Sequence, residues 1–475
     1  MIALTLGELA DLLGGEVADA PSEVSVTGPA FLDSRTPEAG GLFVALPGEH
    51  TDGHDHAPGA VQSGAAAALA TRATGVPSVL VSDVREALQE LARQVLSRRR
   101  ALSAPLTVVA VTGSQGKTTV KDMLARVLTD AAPTVATAGS FNNELGLPLT
   151  VLRTTEQTRY LVLEMGARGV GHLAELCRIA RPDVSLVLNV GKAHLGEFGS
   201  QAQIAVAKGE LVEALAADGQ AVLNADDPLV SAMAARTEGH VTTFGTAAEA
   251  TVRLGEVRVD DLGRPSFELS VGDRTERVSL QLLGEHQAIN AAATAAAALA
   301  AGASFSGACE SLGAIDTLSR WRMELHERSD GLVVVNDAYN ANPDSMRAAL
   351  ETLARMGTGR RHVAVLGEMR ELGESSEEEH RAVGALAHRL GIDQVVVVGA
   401  GARGVYDALV GLRGEDGTTR QVGGVDEAAA WLRENVAGPD VVLVKASRSE
   451  QLERVAQVLV SDDGDRDGSG VRRGE

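Results

Sequence analysis

Between residues 105 and 227 the chain repeats one pattern: a short apolar run that halts on a glycine, an asparagine or an acid, followed by a helical stretch. The runs are "TVVAVTG", "RYLVLEMGA", "DVSLVLNVG" and "GQAVLNADD". Strands that are apolar on both faces must be covered on both faces, and strands joined through helices run parallel. The pattern therefore dictates a mainly parallel sheet clad in helices. Past "DTLSRWRMEL" it resumes in "GLVVVND", "RHVAVLGE", "DQVVVVGAG" and "PDVVLVKAS".

The fold class is α/β, and composition agrees. Hydrophobic residues make up 44% of the chain but aromatics only 3%, so Ala, Val and Leu must fill the cores of repetitive layers. With roughly 100 to 200 residues per domain, 475 residues divide into three. Residues 1–104 form an N-terminal domain of short strands, polar turns and one helix, "SDVREALQELARQVLSRRR". Residues 105–317 form a central domain with a P-loop-type sheet, to which "TVRLGEVRVDDLGRPSFELSVGDRTERVSLQL" adds antiparallel hairpins. Residues 318–460 form a Rossmann-like C-terminal domain, and 461–475 have almost nothing to bury and are expected to be a disordered tail.

A formal charge of −21 argues against a nucleic-acid surface, which needs clustered Lys and Arg. No run reaches the roughly 18 apolar residues that span a bilayer, and "MIALTLGELADLLGG" lacks a signal peptide's basic start. We therefore expect a cytoplasmic protein with no membrane insertion. Cys177 and Cys309 stand singly, without metal or disulfide spacing, and read as packing residues.

The densest chemistry lies in "VAVTGSQGKTTVKDML", residues 109–124. A strand enters the tight turn Gly113-Ser114-Gln115-Gly116 and leaves as a helix opening on Lys117, Thr118 and Thr119. Backbone N–H groups of such a turn and helix start face phosphate oxygens, the lysine adds a point charge, and Thr118 stands where nucleotide-bound Mg²⁺ takes a hydroxyl. Alone, the loop would serve a kinase, a switch or a pump equally well.

Glu164 closes "YLVLEMGA" at a strand's carboxyl end, either as a hard oxygen ligand for Mg²⁺ or as a solvated turn residue. His194 in "NVGKAHLGEFGS" is a ligand or a loop histidine. Lys208 in "QIAVAKGELVEAL" either snorkels from a helix or, with a depressed pKa, takes up CO₂ as a carbamate. His286 and Asn290 lie one helical turn apart and share a face; Asn carries the donor and acceptor that read an adenine edge, while the surrounding alanines equally suit a capping or packing role. Asp337 ends another apolar strand. "VVVVGAGARG", residues 395–404, matches a dinucleotide fingerprint but has no acid at the end of the next strand, which argues against nicotinamide binding.

Taken in order, "TGSQGKTT", "LEMGA", "NVGKAHLGEFGS", "AKGEL", "HQAIN", "RME" and "DAYNANPDS" resemble the Mur ligase family, ATP-dependent amide-forming enzymes of peptidoglycan precursor synthesis. The resemblance spans all but the acidic tail. "DAYNANPDSM" and "LGEMRELG" look most like the branch that adds D-alanyl-D-alanine to UDP-N-acetylmuramoyl-tripeptide, and no D-N-P-R box of the diamino-acid-adding branch is present. It implies that Thr118 and Glu164 hold one Mg²⁺ with the ATP phosphates, and that His194 and a carbamylated Lys208 help hold a second. Asn290 would meet adenine, Arg322 the phosphates and Asp337 the ribose. Ser34, Arg35 and Asn143 would meet the UDP-sugar in a reaction that passes through an acyl phosphate, carried out by a monomer.

Overall fold

The computed structural model describes residues 1–48, 51–191, 198–316 and 318–461. His194 lies outside the described residues, as does the expected tail apart from Ser461.

Besides a two-stranded antiparallel pair, Leu4–Thr5 with Ser25–Val26, three larger sheets follow one another along the described residues. The first has five strands in the order Glu16–Ala18, Ser78–Leu80, Ala67–Ala70, Leu42–Val44, Ala30–Phe31, parallel except for the first, antiparallel edge strand. The helix Val84–Arg100 packs on it through Leu88, Leu91 and Val95, spaced to share one face, and Asp83 caps its start by accepting from Arg85 N and Glu86 N. At its far end the buried Arg99 donates to Thr155 O (3.1 Å), Ala104 O (2.7 Å) and Thr158 O, fastening this helix to the central unit.

The central sheet has ten strands. Thr107–Thr112 sits between Tyr160–Glu164 and Val184–Val187, parallel to both. The chain thus departs from Thr107–Thr112 in opposite directions along the sheet, which opens a crevice beyond its carboxyl end. The predicted hairpins form as antiparallel pairs around Pro265–Val271, with one difference: Val252–Leu254 joins His240–Gly245 in parallel before the hairpins begin. The alanine-rich helix Gln287–Ala300 packs on the helix Lys117–Ala131. Its small side chains allow a close approach that needs no aromatic filler.

The third sheet runs Glu324–Glu327, Val333–Asp337, Val441–Lys445, His362–Leu366, Gln394–Val398, Thr419–Val422, parallel but for its first strand. Val441–Lys445 comes last in the chain yet lies between Val333–Asp337 and His362–Leu366, so this sheet too has a crevice at its carboxyl edge. Among the described residues no helix is long and apolar enough to cross a membrane.

Candidate active site

The loop after Thr107–Thr112 turns through Gly116, at φ +81°, where a side chain is strained. A Cβ there would also lie 2.9 Å from Asn290 Oδ1. Gly116 is the N-cap of the helix Lys117–Ala131 and supplies no side-chain cap. The N–H groups of Lys117, Thr118 and Thr119 therefore have no intrahelical acceptor, and with the helix dipole they make an anion site.

The turn itself departs from the sequence reading. The N–H groups of Ser114 and Gln115, expected to face phosphate, both donate to Asn189 Oδ1 (3.0 Å each), whose Nδ2 donates to Gln115 O (3.2 Å). Asn189 ends the neighbouring strand's run and pins the turn, so the donors left for phosphate are those of the helix start. Ser114 Oγ accepts from Gly191 N (2.9 Å). Gly113 presents its carbonyl to Lys117 Nζ (2.7 Å), and any Cβ on it would strike Leu188. Burial lowers the Lys117 pKa; the nearby Glu164 and Glu371 carboxylates oppose that shift and Arg322 adds to it.

Register places Glu164 beside Val111 on the adjacent strand, two residues before the turn. Its carboxylate is buried. Oε1 accepts from Asn142 Nδ2 (2.7 Å), and Oε2 has no hydrogen-bond partner among the described residues. Lys208, on the helix Gln201–Glu213, is buried and lines the same cleft. Burial first, and Lys117 second, hold its pKa well below the usual lysine value, so the neutral amine is favoured.

The cleft measures ≈910 Å³ and is walled by both the central and the third units, a size that suits a nucleotide. From the third side come Arg322, stacked 4.2 Å over the Tyr339 ring with its buried Nε unpartnered among the described residues, and Asp337. Arg320, two residues from Arg322, is exposed and does not line it. Asp337 pairs in register with Lys445 at the next strand's end; Lys445 Nζ donates to Asp337 Oδ2 (2.6 Å) and to Asn340 O (2.8 Å). Asn290 and His286 face the cleft from the start of the alanine helix, and burial lowers the His286 pKa, which favours the neutral ring.

Of the expected residues, Ser114, Gln115, Gly116, Lys117, Thr118, Thr119, Asn143, Lys208, Asn290, Arg322 and Asp337 line this one cleft, and Glu164 lies behind Asn142. Ser34 and Arg35 do not line it. Arg35 is 87% exposed in its side chain and holds Asp33 in a bidentate pair that pulls the Asp33 carboxyl down to about 2. Sequence reasoning missed Asn142, Asn189 and Lys445. A lone lysine closing the valine run "VVLVK" is the same signal that singled out Glu164, so Lys445 was findable; the asparagines had no such mark.

Lys445 keeps only 2% of its side chain exposed. Asp337→Asn should leave that ammonium without its anion and cost about 3 kcal/mol in urea unfolding, with part restored by adding Lys445→Met. A loss under about 0.5 kcal/mol would mean that the pair does not carry buried charge.

The Mur ligase family catalytic domain matches residues 31–104, the Mur ligase middle domain 111–298 and the Mur ligase glutamate ligase domain 321–448. Over 506 aligned positions the chain is 44% identical to the UDP-N-acetylmuramoyl-tripeptide--D-alanyl-D-alanine ligase of Mycobacterium tuberculosis, covering 98% of this chain and 99% of that protein. Identity to the Escherichia coli protein of the same name is 36%, covering 97% and 99%. Among solved structures, MurF from Acinetobacter baumannii superposes with a TM-score of 0.84 at 30% identity, covering 97% of this chain and 99% of that one. MurF ligase from Thermotoga maritima in complex with ADP gives 0.78 at 31%, covering 93% and 99%. Identity sustained over nearly the whole length, together with a helix start whose N–H groups open onto a cleft shared with a second, mainly parallel sheet, makes the conclusion direct: the chain belongs to the Mur ligase family.

Proposed function

We infer that the protein is an ATP-dependent ligase that joins D-alanyl-D-alanine to UDP-N-acetylmuramoyl-tripeptide through an acyl phosphate, releasing ADP and phosphate in peptidoglycan precursor synthesis. The observation that carries this reading is identity over nearly the full length to ligases of that name, joined to a cleft in which one helix start, the basic side chains of Lys117 and Arg322, and the buried amine of Lys208 converge.

The terminal carboxylate of the tripeptide attacks the γ-phosphorus, a C–O–P bond forms, and the bond to the β-phosphate oxygen breaks to release ADP. The N–H groups of Lys117 to Thr119 hold phosphate oxygens, and Lys117 follows the charge that develops on them. The dipeptide amine then attacks the activated carbonyl, loses a proton and expels phosphate. Asn290, beside Gly116, takes the adenine, Asp337 the ribose and Arg322 the phosphates; Ser34, Arg35 and Asn143 take the UDP-sugar. The unit 1–104 binds the UDP substrate, 105–317 binds ATP, and 318–460 brings the dipeptide and closes over the cleft to exclude water.

The residues present suit Mg²⁺. A buried carboxylate oxygen with no donor among the described residues, Glu164 Oε2, is what a hard cation takes up. Thr118 and Glu164 would hold one ion, His194 and a carbamylated Lys208 a second, and bound Mg²⁺ neutralises phosphate charge. The favoured neutral amine of Lys208 supports the carbamate, since only that form reacts with CO₂. The enzyme works in the cytoplasm, where ATP is supplied, and as a monomer.

Purified protein should release phosphate from ATP only when both UDP-muramoyl-tripeptide and D-alanyl-D-alanine are present. Equal release with a free diamino acid would sink the assignment.

A further inference from the structure

The segment that carries Arg322 into the cleft is fastened at one end to the helix that opens the anion site. Asp122 lies on Lys117–Ala131 one turn past Thr118 and on the same face, about 6 Å further along the axis. Its Oδ2 accepts from both donors of Ser319, the backbone N (3.2 Å) and Oγ (2.5 Å). Its Oδ1 is taken by Lys121 Nζ, on a side chain only 3% exposed. Among the described residues Asp122 is the one hydrogen-bond partner of that ammonium, so the carboxylate cannot turn away without leaving a buried charge unpaired.

Three residues separate Ser319 from Arg322, a reach of at most about 10 Å. The backbone over that reach is held rather than free. Trp321 and Met323, on either side of Arg322, have φ of +62° and +52°, conformations that residues with a Cβ disfavour and that persist only where the surroundings impose them. Tyr339 N donates to Trp321 O (3.2 Å), Met323 N donates to Asp337 Oδ1 (3.2 Å), and the Arg448 guanidinium lies 4.3 Å over the Trp321 ring. Those holds all come from the third unit. The central unit answers with two of its own: Asp122 on Ser319, and Ser140 Oγ hydrogen-bonded to the hydroxyl of Tyr339, the ring on which Arg322 stacks.

We propose that Asp122 is a positioning residue for Arg322. By gripping Ser319 it ties the segment to the helix whose first N–H groups meet phosphate, and so fixes how Arg322 approaches those same phosphates. The proposal rests on the reading that places Arg322 there. An ordinary buried ion pair with Lys121 would account for Oδ1 but not for Oδ2, which both donors of one serine share. Hydrogen bonds to a charged oxygen make a short, directional hold, and a shift of about 1 Å in a group that orients a transferring phosphoryl is enough to cost rate.

Steady-state kinetics of the full enzyme with ATP, UDP-muramoyl-tripeptide and D-alanyl-D-alanine test this as a double-mutant cycle. Arg322→Ala should lower kcat about 100-fold. Asp122→Asn keeps one acceptor oxygen but loses the charge, and should lower kcat about tenfold with the KM for the dipeptide within about twofold of wild type. The combined variant should stay within about twofold of Arg322→Ala alone, because Asp122 acts through Arg322. Ser319→Ala leaves the pair with Lys121 intact, and should lose about threefold, a loss that also disappears once Arg322 is alanine; this arm holds even where Asp122→Asn folds poorly. Wild-type kcat in both Asp122→Asn and Ser319→Ala, or losses that multiply to about 1000-fold in the combined variant, would overturn the positioning role and leave the ligase reading standing. A wild-type rate in Arg322→Ala would remove Arg322 from the phosphates, and the positioning role with it.

Discussion

Lys117→Ala should lower ATP-dependent turnover at least about 1000-fold while the protein melts close to the wild-type temperature. Lys117 Nζ donates to the carbonyl of Gly113 (2.7 Å) and, at the limit of hydrogen-bond distance, to that of Ser114 (3.5 Å), both inside its own loop, so the truncation removes about 1 kcal/mol of hydrogen bonding and also removes a buried cation whose charge the fold disfavours. The two effects oppose each other in stability. In catalysis nothing offsets the loss, because no second ammonium lies on the loop to follow the transferring phosphoryl group. Lys117→Arg should not restore activity: a planar fork cannot replace a compact charge that reaches back into its own loop. Single-turnover phosphate release beside thermal unfolding checks the pair of outcomes, and unchanged turnover would refute the phosphate role.

Lys208→Met should abolish ligation without unfolding the chain. The buried amine lies among groups that favour its neutral form, so methionine fills the same space and removes an ionisation the fold works against. Because the folded pKa lies below the unfolded lysine value of about 10.4, the unfolded chain binds more protons between those two values, and stability rises with pH across that window. The Met variant should flatten that rise. For activity, Lys208→Ala with added short carboxylates should regain part of the rate, since a carboxylate replaces the carbamate's charge. Full activity of the alanine variant in bicarbonate-free buffer would remove Lys208 from the mechanism.

The strands and the glycine turn that leads into the lysine-first helix were legible in the chain because they rest on short-range rules. Apolar runs of five or six residues, a glycine at positive φ and a lysine opening a helix are all set by neighbours within one turn. Even Lys208, buried as its apolar surroundings allowed, could be named, though not distinguished from a snorkelling lysine until its helix was seen to line the cleft. Asn189 could not be named. Nothing in "LNVG" marks that asparagine, and its hold on Ser114 and Gln115 comes from two strands 75 residues apart being neighbours in the sheet.

The same division holds for the molecule as a whole. Local pattern set the α/β class, the parallel strands, the anion-binding helix start and the list of acids and bases at strand ends, because each depends on steric and hydrophobic periodicity along the chain. Which of those groups face one another was decided by strand order. Placing the last strand, Val441–Lys445, between two earlier ones sets Lys445 against Asp337 and opens the crevice at that sheet's carboxyl edge. Strand order comes from packing and crossover handedness summed over the sheet, and no window of sequence carries it.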